Sequence, residues 1–321
     1  PGGGELSGTI ANISNAKGKI DTANPTLTVK GDIKTLPSAL IDAFSLKNGL
    51  PGDILGPSVN ISLDAQNFSK TGGSLALSAR STETGQVTEN GKTATRPRAE
   101  VTLKGTSQGG VYTTPISLTL RKIDDALAAR ITSVYPDIAE VEKTFSERPT
   151  VVTSPQFGIP LDGDLRKLNG AVTIDPGDAR FKISSNIGTF LKVFQTKQQG
   201  KLLQRLEPVT VTARSGVLTY PRWKFPVGTF SIETEGTVDL PGDRLDIITW
   251  VPLGELADSA MGLFKNIPGL SALSKSTMMP LRTRGTLSKH TTLPDGELAL
   301  KNTIKSVPNT AVDVLKDLIK K

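Results

Sequence analysis

Apolar and polar residues alternate along much of this chain, most clearly from Thr229 to Leu253. Phe230, Ile232, Val238 and Leu240 fall on one parity; Ser231, Glu233, Glu235 and Asp239 fall on the other. A period of two predicts a strand with one apolar face and one wet face. Pro241-Gly242 fills the positions that a type II turn gives to Pro and Gly. The alternation resumes with Leu245, Ile247 and Val251, so the stretch reads as a β-hairpin with an apolar face.

The same pattern recurs along the chain. Leu6–Ile10, Leu27–Ile33, Val59–Leu63, Leu75–Leu77, Val101–Leu103, Ile116–Leu120, Val172–Ile174, Val209–Ala213, Gly216–Tyr220, Leu281–Leu287 and Glu297–Leu300 all read as strands. Residues 80–98 are polar, hold Gly85, Asn90-Gly91 and Pro97, and predict a long exposed, mobile hairpin loop. Helical spacing appears in 36–48, where Pro37 suits a first turn, and in 187–206, 254–274 and the tail 311–321. It also appears in 123–146, where Pro136 predicts a kink or two helices. A Pro-Gly-Asp triplet recurs at 51–53, 176–178 and 241–243, a weak repeat that turn chemistry alone explains. Pro149, Pro155 and Pro160 mark an irregular passage, which sets an expected boundary near 150 between a β-rich segment with inserted helices, 1–150, and a second β segment, 151–321. The expected fold class is mainly β: antiparallel sheet with short amphipathic helices inserted between hairpins.

Composition narrows the chemistry. The 321 residues include 31 Gly and 21 Pro with only 5% aromatics, which suits short strands and turns. Without cysteine there are no disulfides, thiolate metal sites or cysteine nucleophiles. His290 is the single histidine and lies in a turn-like polar stretch, so neither a serine triad nor a classical zinc site is expected. The Asp pairs at 162/164 and 175/178 and the group Asp239, Asp243 and Asp246 lack EF-hand spacing and read as turn residues. Glu233 and Glu235 share a parity, but the wet one. The expectation is a non-enzymatic protein with no cofactor and no metal. The chain opens on Pro1-Gly-Gly-Gly, which reads as a piece of a longer or processed protein, and any membrane anchor is expected outside it.

The net charge of +7 is concentrated. Between Arg180 and Lys224 nine bases face one acid, Glu207. Tyr220, Trp223 and Phe225 stand near Arg222 and Lys224, a pairing that stacks nucleotides in some proteins. Solvated bases at the exits of a sheet explain it more simply, and no nucleic acid partner is expected. Lys192, Lys197, Lys201, Arg205, Arg222 and Lys224 are the candidate contacts for anionic headgroups.

One region carries a family resemblance. Gly216-Val-Leu-Thr-Tyr is followed by Phe230–Leu240, Arg244-Leu-Asp-Ile, Met279-Pro-Leu-Arg-Thr-Arg-Gly-Thr-Leu and Leu293-Pro-Asp. This order resembles the C-terminal region of AsmA-like proteins of bacterial envelopes, over roughly 213–300. Gly236, Val238, Asp239, Leu240, Leu245, Asp246, Pro280, Leu281, Gly285, Thr286, Leu287, Pro294 and Asp295 fill the family's places, while Thr283 and His290 depart from it. The resemblance implies an elongated, curled sheet with an apolar groove, in a periplasmic protein anchored in the inner membrane and associated with phospholipid transport and outer-membrane homeostasis. Phospholipid and envelope proteins are its implied partners. Val217, Phe230, Ile232, Val238, Leu240, Leu245 and Ile247 are the candidate groove residues. The same apolar face fits a second reading, an envelope scaffold whose helices or second sheet close an ordinary core.

Overall fold

The computed structural model describes residues 3–13, 25–44, 49–134, 138–145, 148–183, 206–227, 230–252 and 278–298. The expected helices at 187–206 and 254–274 and the tail helix lie wholly or almost wholly outside them, and the expected strand at Glu297–Leu300 is a correction, since its described residues Glu297 and Leu298 are helical.

The chain is mainly β. Strands β1 (Gly3–Ala11) and β2 (Thr26–Pro37) open it, followed by short helices α1 (Ser38–Phe44) and α2 (Leu50–Leu55). Next come β3 (Ser58–Phe68), β4 (Ser74–Ser81), a side hairpin of β5 (Thr84–Glu89) and β6 (Lys92–Pro97), then β7 (Ala99–Gln108) and β8 (Val111–Leu120). Helix α3 (Asp125–Val134) leads to β9 (Ile138–Glu142), β10 (Thr150–Pro160), β11 (Asn169–Asp175) and β12 (Arg180–Ile183). The second half is β13 (Val209–Arg214), β14 (Val217–Val227), β15 (Phe230–Asp239), β16 (Arg244–Pro252), β17 (Met278–Gly285) and β18 (His290–Pro294).

Fourteen of these strands form one open antiparallel sheet in the order in which the chain makes them, with β5–β6 and β9–β12 set apart as two small ribbons. The sheet runs straight through the expected boundary at 150, because β10 pairs with β8 on one side and β11 on the other.

Registers place the alternating residues into rows that cross the strands. Ile33, Ile61, Ala79, Val101, Leu118, Val152, Ile174 and Val209 stand opposite one another in succession. The next row runs Leu6, Gly31, Leu63, Leu77, Leu103, Ile116 and Ser154. On the other face runs Asp32, Ser62, Ser78, Thr102, Ser117, Thr153, Thr173 and Thr210. Side chains directly opposite in an antiparallel pair share a face, so hairpin-by-hairpin alternation adds up to a sheet with an apolar front and a hydroxyl-rich back.

The small elements pack against one end of the front. Leu55 of α2, Leu127 of α3, Val141 of β9, Phe181 of β12 and Leu206 join one cluster with Val59, Ala99 and Leu120, and also with Phe225, Val251 and Leu281 from the second half. Ion pairs fasten this end, one of them through the buried Arg98. Arg98 meets Glu83 at 3.0 Å and Asp124 at 2.6 Å, and Arg130 of α3 meets Asp53 of α2 at 2.7 Å.

Several local expectations need correction. The second half of 123–146 is a strand, not a helix: Val141 pairs with Phe181, and cross-strand partners override helical spacing. Residues 84–97 are a paired ribbon rather than a loop, turned by Asn90 and Gly91, whose φ values of 52° and 75° make the mirror-image turn that matches strand twist. In the hairpin at 241–242 the left-handed residue is Asp243, with φ 46°, rather than Gly242. A four-residue loop replaces the type II turn, and the Gly242 N–H donates to Asp239 Oδ1 at 2.9 Å. The Pro-Gly-Asp triplet at 51–53 lies in α2, so it shares composition but not conformation with the other two.

Candidate functional site

The apolar front divides into a packed half and an open half. In the packed half, the backbone register sets Phe230 opposite Val227 and carries Ile232, Val238, Leu245 and Ile247 on the same face. Ile232, Leu245 and Ile247 are only 4%, 4% and 2% exposed, so these three candidate groove residues are core as the protein stands. Val238 is half-buried beside them. Leu240 belongs to the turn, where its N–H donates to Gly216 O at 3.2 Å.

Val217 is a correction, because it pairs with Arg214 and Asp239 on the back face. Strand β14 is irregular between Tyr220 and Trp223, so the front passes from Leu218 and Tyr220 to Trp223 and Phe225 with a change of parity. An inserted residue of this kind is invisible to a period-of-two reading.

The open half is the row Leu63, Leu77, Leu103 and Ile116, with Leu118 and Val152 in the row beside it. These six side chains are half-buried and belong to neither hydrophobic cluster. None of them was a candidate. Each lies in a strand that alternation identifies, but only register reveals that they are neighbours. Ser154 ends the row at an irregularity of β10, with its buried Oγ unpartnered.

The candidate headgroup contacts fare differently. Lys192, Lys197, Lys201 and Arg205 lie outside the described residues. Arg222 is committed to the back face, 3.4 Å from Glu233 and 3.2 Å from Glu235, with its guanidinium 4.3 Å over the Trp250 ring. Lys224 lies 3.7 Å from Glu233. These carboxylates neutralise the two bases locally, which weakens their standing as anion contacts. Nearby, Asp246 accepts from Arg282 Nε and Nη2, both at 2.7 Å, and Arg282 Nη1 reaches Asp295 at 3.1 Å. The Arg282 hydrogen bonds hold the Asp246 carboxyl below its ordinary pKa against a smaller opposing effect of burial.

Ser107 and His290 do not come together as a serine triad requires. Gly105-Thr-Ser-Gln-Gly109 has the spacing of a nucleophile elbow, yet Ser107 lies within β7 and its Oγ donates to Gly72 O at 2.6 Å. His290 stands opposite Gly285 in β18, at the far edge of the sheet from β7. Asp162 and Asp164 are paired with Lys167 and Arg166, and no cluster of metal-ligating side chains is present among the described residues. Comparison with protein-family models, with curated proteins and with solved structures finds no match.

Proposed function

We propose that the protein binds lipid acyl chains along its apolar front, without catalysis, and passes them across the strands. The observation that carries this reading is the open row of Leu63, Leu77, Leu103 and Ile116, half-buried and outside both clusters, backed by a face of Ser and Thr. At about 4.8 Å per strand, the four strands of the open row, from Leu63 to Ile116, span about 14 Å. A bilayer's hydrocarbon core is about 30 Å thick over two leaflets, so the row matches roughly one chain. Each CH₂ removed from water contributes about 0.8 kcal/mol. The resemblance to AsmA-like proteins agrees with this reading and suggests a bacterial envelope setting, with phospholipid as the cargo and the anchor supplied by chain outside this sequence. Described helices are not long and apolar enough to cross a membrane.

The scaffold reading has its own support in the near-complete burial of Ile232, Leu245 and Ile247, which gives the second half an ordinary core. Photo-crosslinking from Leu103 on the front and Ser62 on the back, with lipid extraction and native mass spectrometry of the purified protein, separates the two. Transport predicts co-purified lipid and lipid adducts from position 103 but not 62. No lipid and no adduct at 103 leaves the scaffold.

A further inference from the structure

We propose that the back of the sheet is a binding surface for an uncharged, extended glycan, which lies across the strands with about one sugar per strand. This does not rest on the lipid reading. A cleft of about 310 Å³ opens on the back between β2, β3 and β4, and its polar lining is Asp32, Lys34, Asn60, Ser62, Ser78 and Arg80, all exposed. The cleft forms at an irregularity. Between Ile33 and Leu36, β2 holds one residue more than β3. Thr35 takes a φ of 56° there, and its N–H donates to Asn60 Oδ1 at 2.9 Å. A β-branched residue in the left-handed region is strained, and bulges and strain of this kind gather at ligand sites.

Charge and hydrogen-bonding capacity define the ligand's class. Lys34 and Arg80 are balanced by Asp32 and by Glu100, which meets Arg80 Nε at 2.8 Å. The lining is therefore close to neutral, which favours neither an anion nor a cation, and nucleic acid needs a basic surface. A peptide strand adds to a sheet edge rather than to a face. The cleft offers ammonium, guanidinium and amide donors, a carboxylate acceptor, and Ser hydroxyls that serve as both. Sugar hydroxyls, each a donor and an acceptor, match that mixture.

The row that starts at Asp32 extends this chemistry beyond the cleft. From Ser62 to Thr210 its members are all Ser or Thr, on neighbouring strands. They are exposed apart from Thr173, which is half-buried and shares a hydrogen bond with Thr210 at 2.9 Å. At about 4.8 Å per strand the row is about 34 Å long, and that spacing is close to the advance per residue of an extended, β-linked glycan. Sheet twist turns each hydroxyl relative to the last, as successive sugars turn about their linkages.

Ligand-observed NMR with cellohexaose and chitohexaose tests this. At least one hexasaccharide should bind with a Kd of about 1 mM or tighter, and its trisaccharide about tenfold more weakly. Binding should change by less than about twofold between about 0.05 and 0.5 M salt, because the ligand is uncharged. Thr102→Val with Thr153→Val removes two hydroxyls of the row while keeping shape and strand preference. This variant should keep its circular dichroism and melting temperature and bind about fivefold more weakly. Ser78→Ala, in the cleft, should weaken binding about threefold. No binding of either hexasaccharide at about 5 mM, equal binding of trimer and hexamer, a loss of about tenfold with salt, or undiminished binding by the folded double variant overturns the proposal.

Discussion

Lys143 shows how a single residue can set a pH dependence. It is buried, with its ammonium donating to Arg148 O at 2.8 Å. Burial pushes its pKa down from the ordinary 10.5 to about 8; Asp178 and Asp175 oppose the shift and Arg148 adds to it. The folded protein therefore holds this proton less tightly than the unfolded chain. Stability from this group is lowest below about pH 8 and recovers as the pH rises toward 10.5. Lys143→Met should raise the melting temperature at pH 7 and flatten that rise; the lysine's cost is at most about 3 kcal/mol. Thermal unfolding of both proteins between pH 7 and pH 10 checks this, and parallel curves refute it. Sequence alone hid this residue because lysine in an acidic stretch reads as solvated. Val217 misled for a related reason: its neighbours alternate correctly, but the irregularity after Tyr220 moves the front to the other parity.

Hairpins were the most legible elements. The strands at 59–63, 101–103 and 116–120 follow from alternation because each has one face toward apolar neighbours and one toward water. Strand β9 was not legible, since its partner β12 lies forty residues away in sequence and helical spacing fits the same letters. Side-chain clamps that tie strands together were equally hidden. The Asp246–Arg282 pair joins β16 to β17, and Asp295 extends it just beyond β18. Because the Asp246 carboxyl is held below its ordinary pKa, its stabilisation is present above the unfolded pKa and fades as pH falls through the folded one. Asp246→Asn should therefore lower the melting temperature at neutral pH, with the difference from wild type shrinking in acid. A gap that stays constant from pH 7 to pH 2 would place the effect elsewhere.

For the molecule as a whole, alternation and turn signals were enough for the fold class but misplaced the candidate site. The hairpin at 230–252 has the clearest pattern because it is well packed, and good packing is what removes Ile232 and Ile247 from any open surface. The open row needs three registers to be known at once. This difference yields a test by paired substitutions. Leu103→Asp puts a charge on a half-buried position, where water can still reach it, and should leave a folded protein with much less bound lipid. Ile247→Asp buries a charge without a partner and should cost several kcal/mol, enough to unfold or aggregate the chain. Urea denaturation and lipid extraction on both variants check this. A folded Leu103→Asp protein with a full complement of lipid would remove the front face from the proposed function.

The order of the fourteen strands in space is their order in the chain. Such a sheet behaves like a ladder, in which each rung leans on the two beside it. Folding can zip from hairpins whose turns are short, such as β3–β4, β7–β8 and β15–β16. Length is also free to change: a duplicated hairpin adds two rungs, or about 10 Å, without redesign of the rungs already present. The span of the apolar front is then a matter of copy number, adjustable during evolution independently of its chemistry.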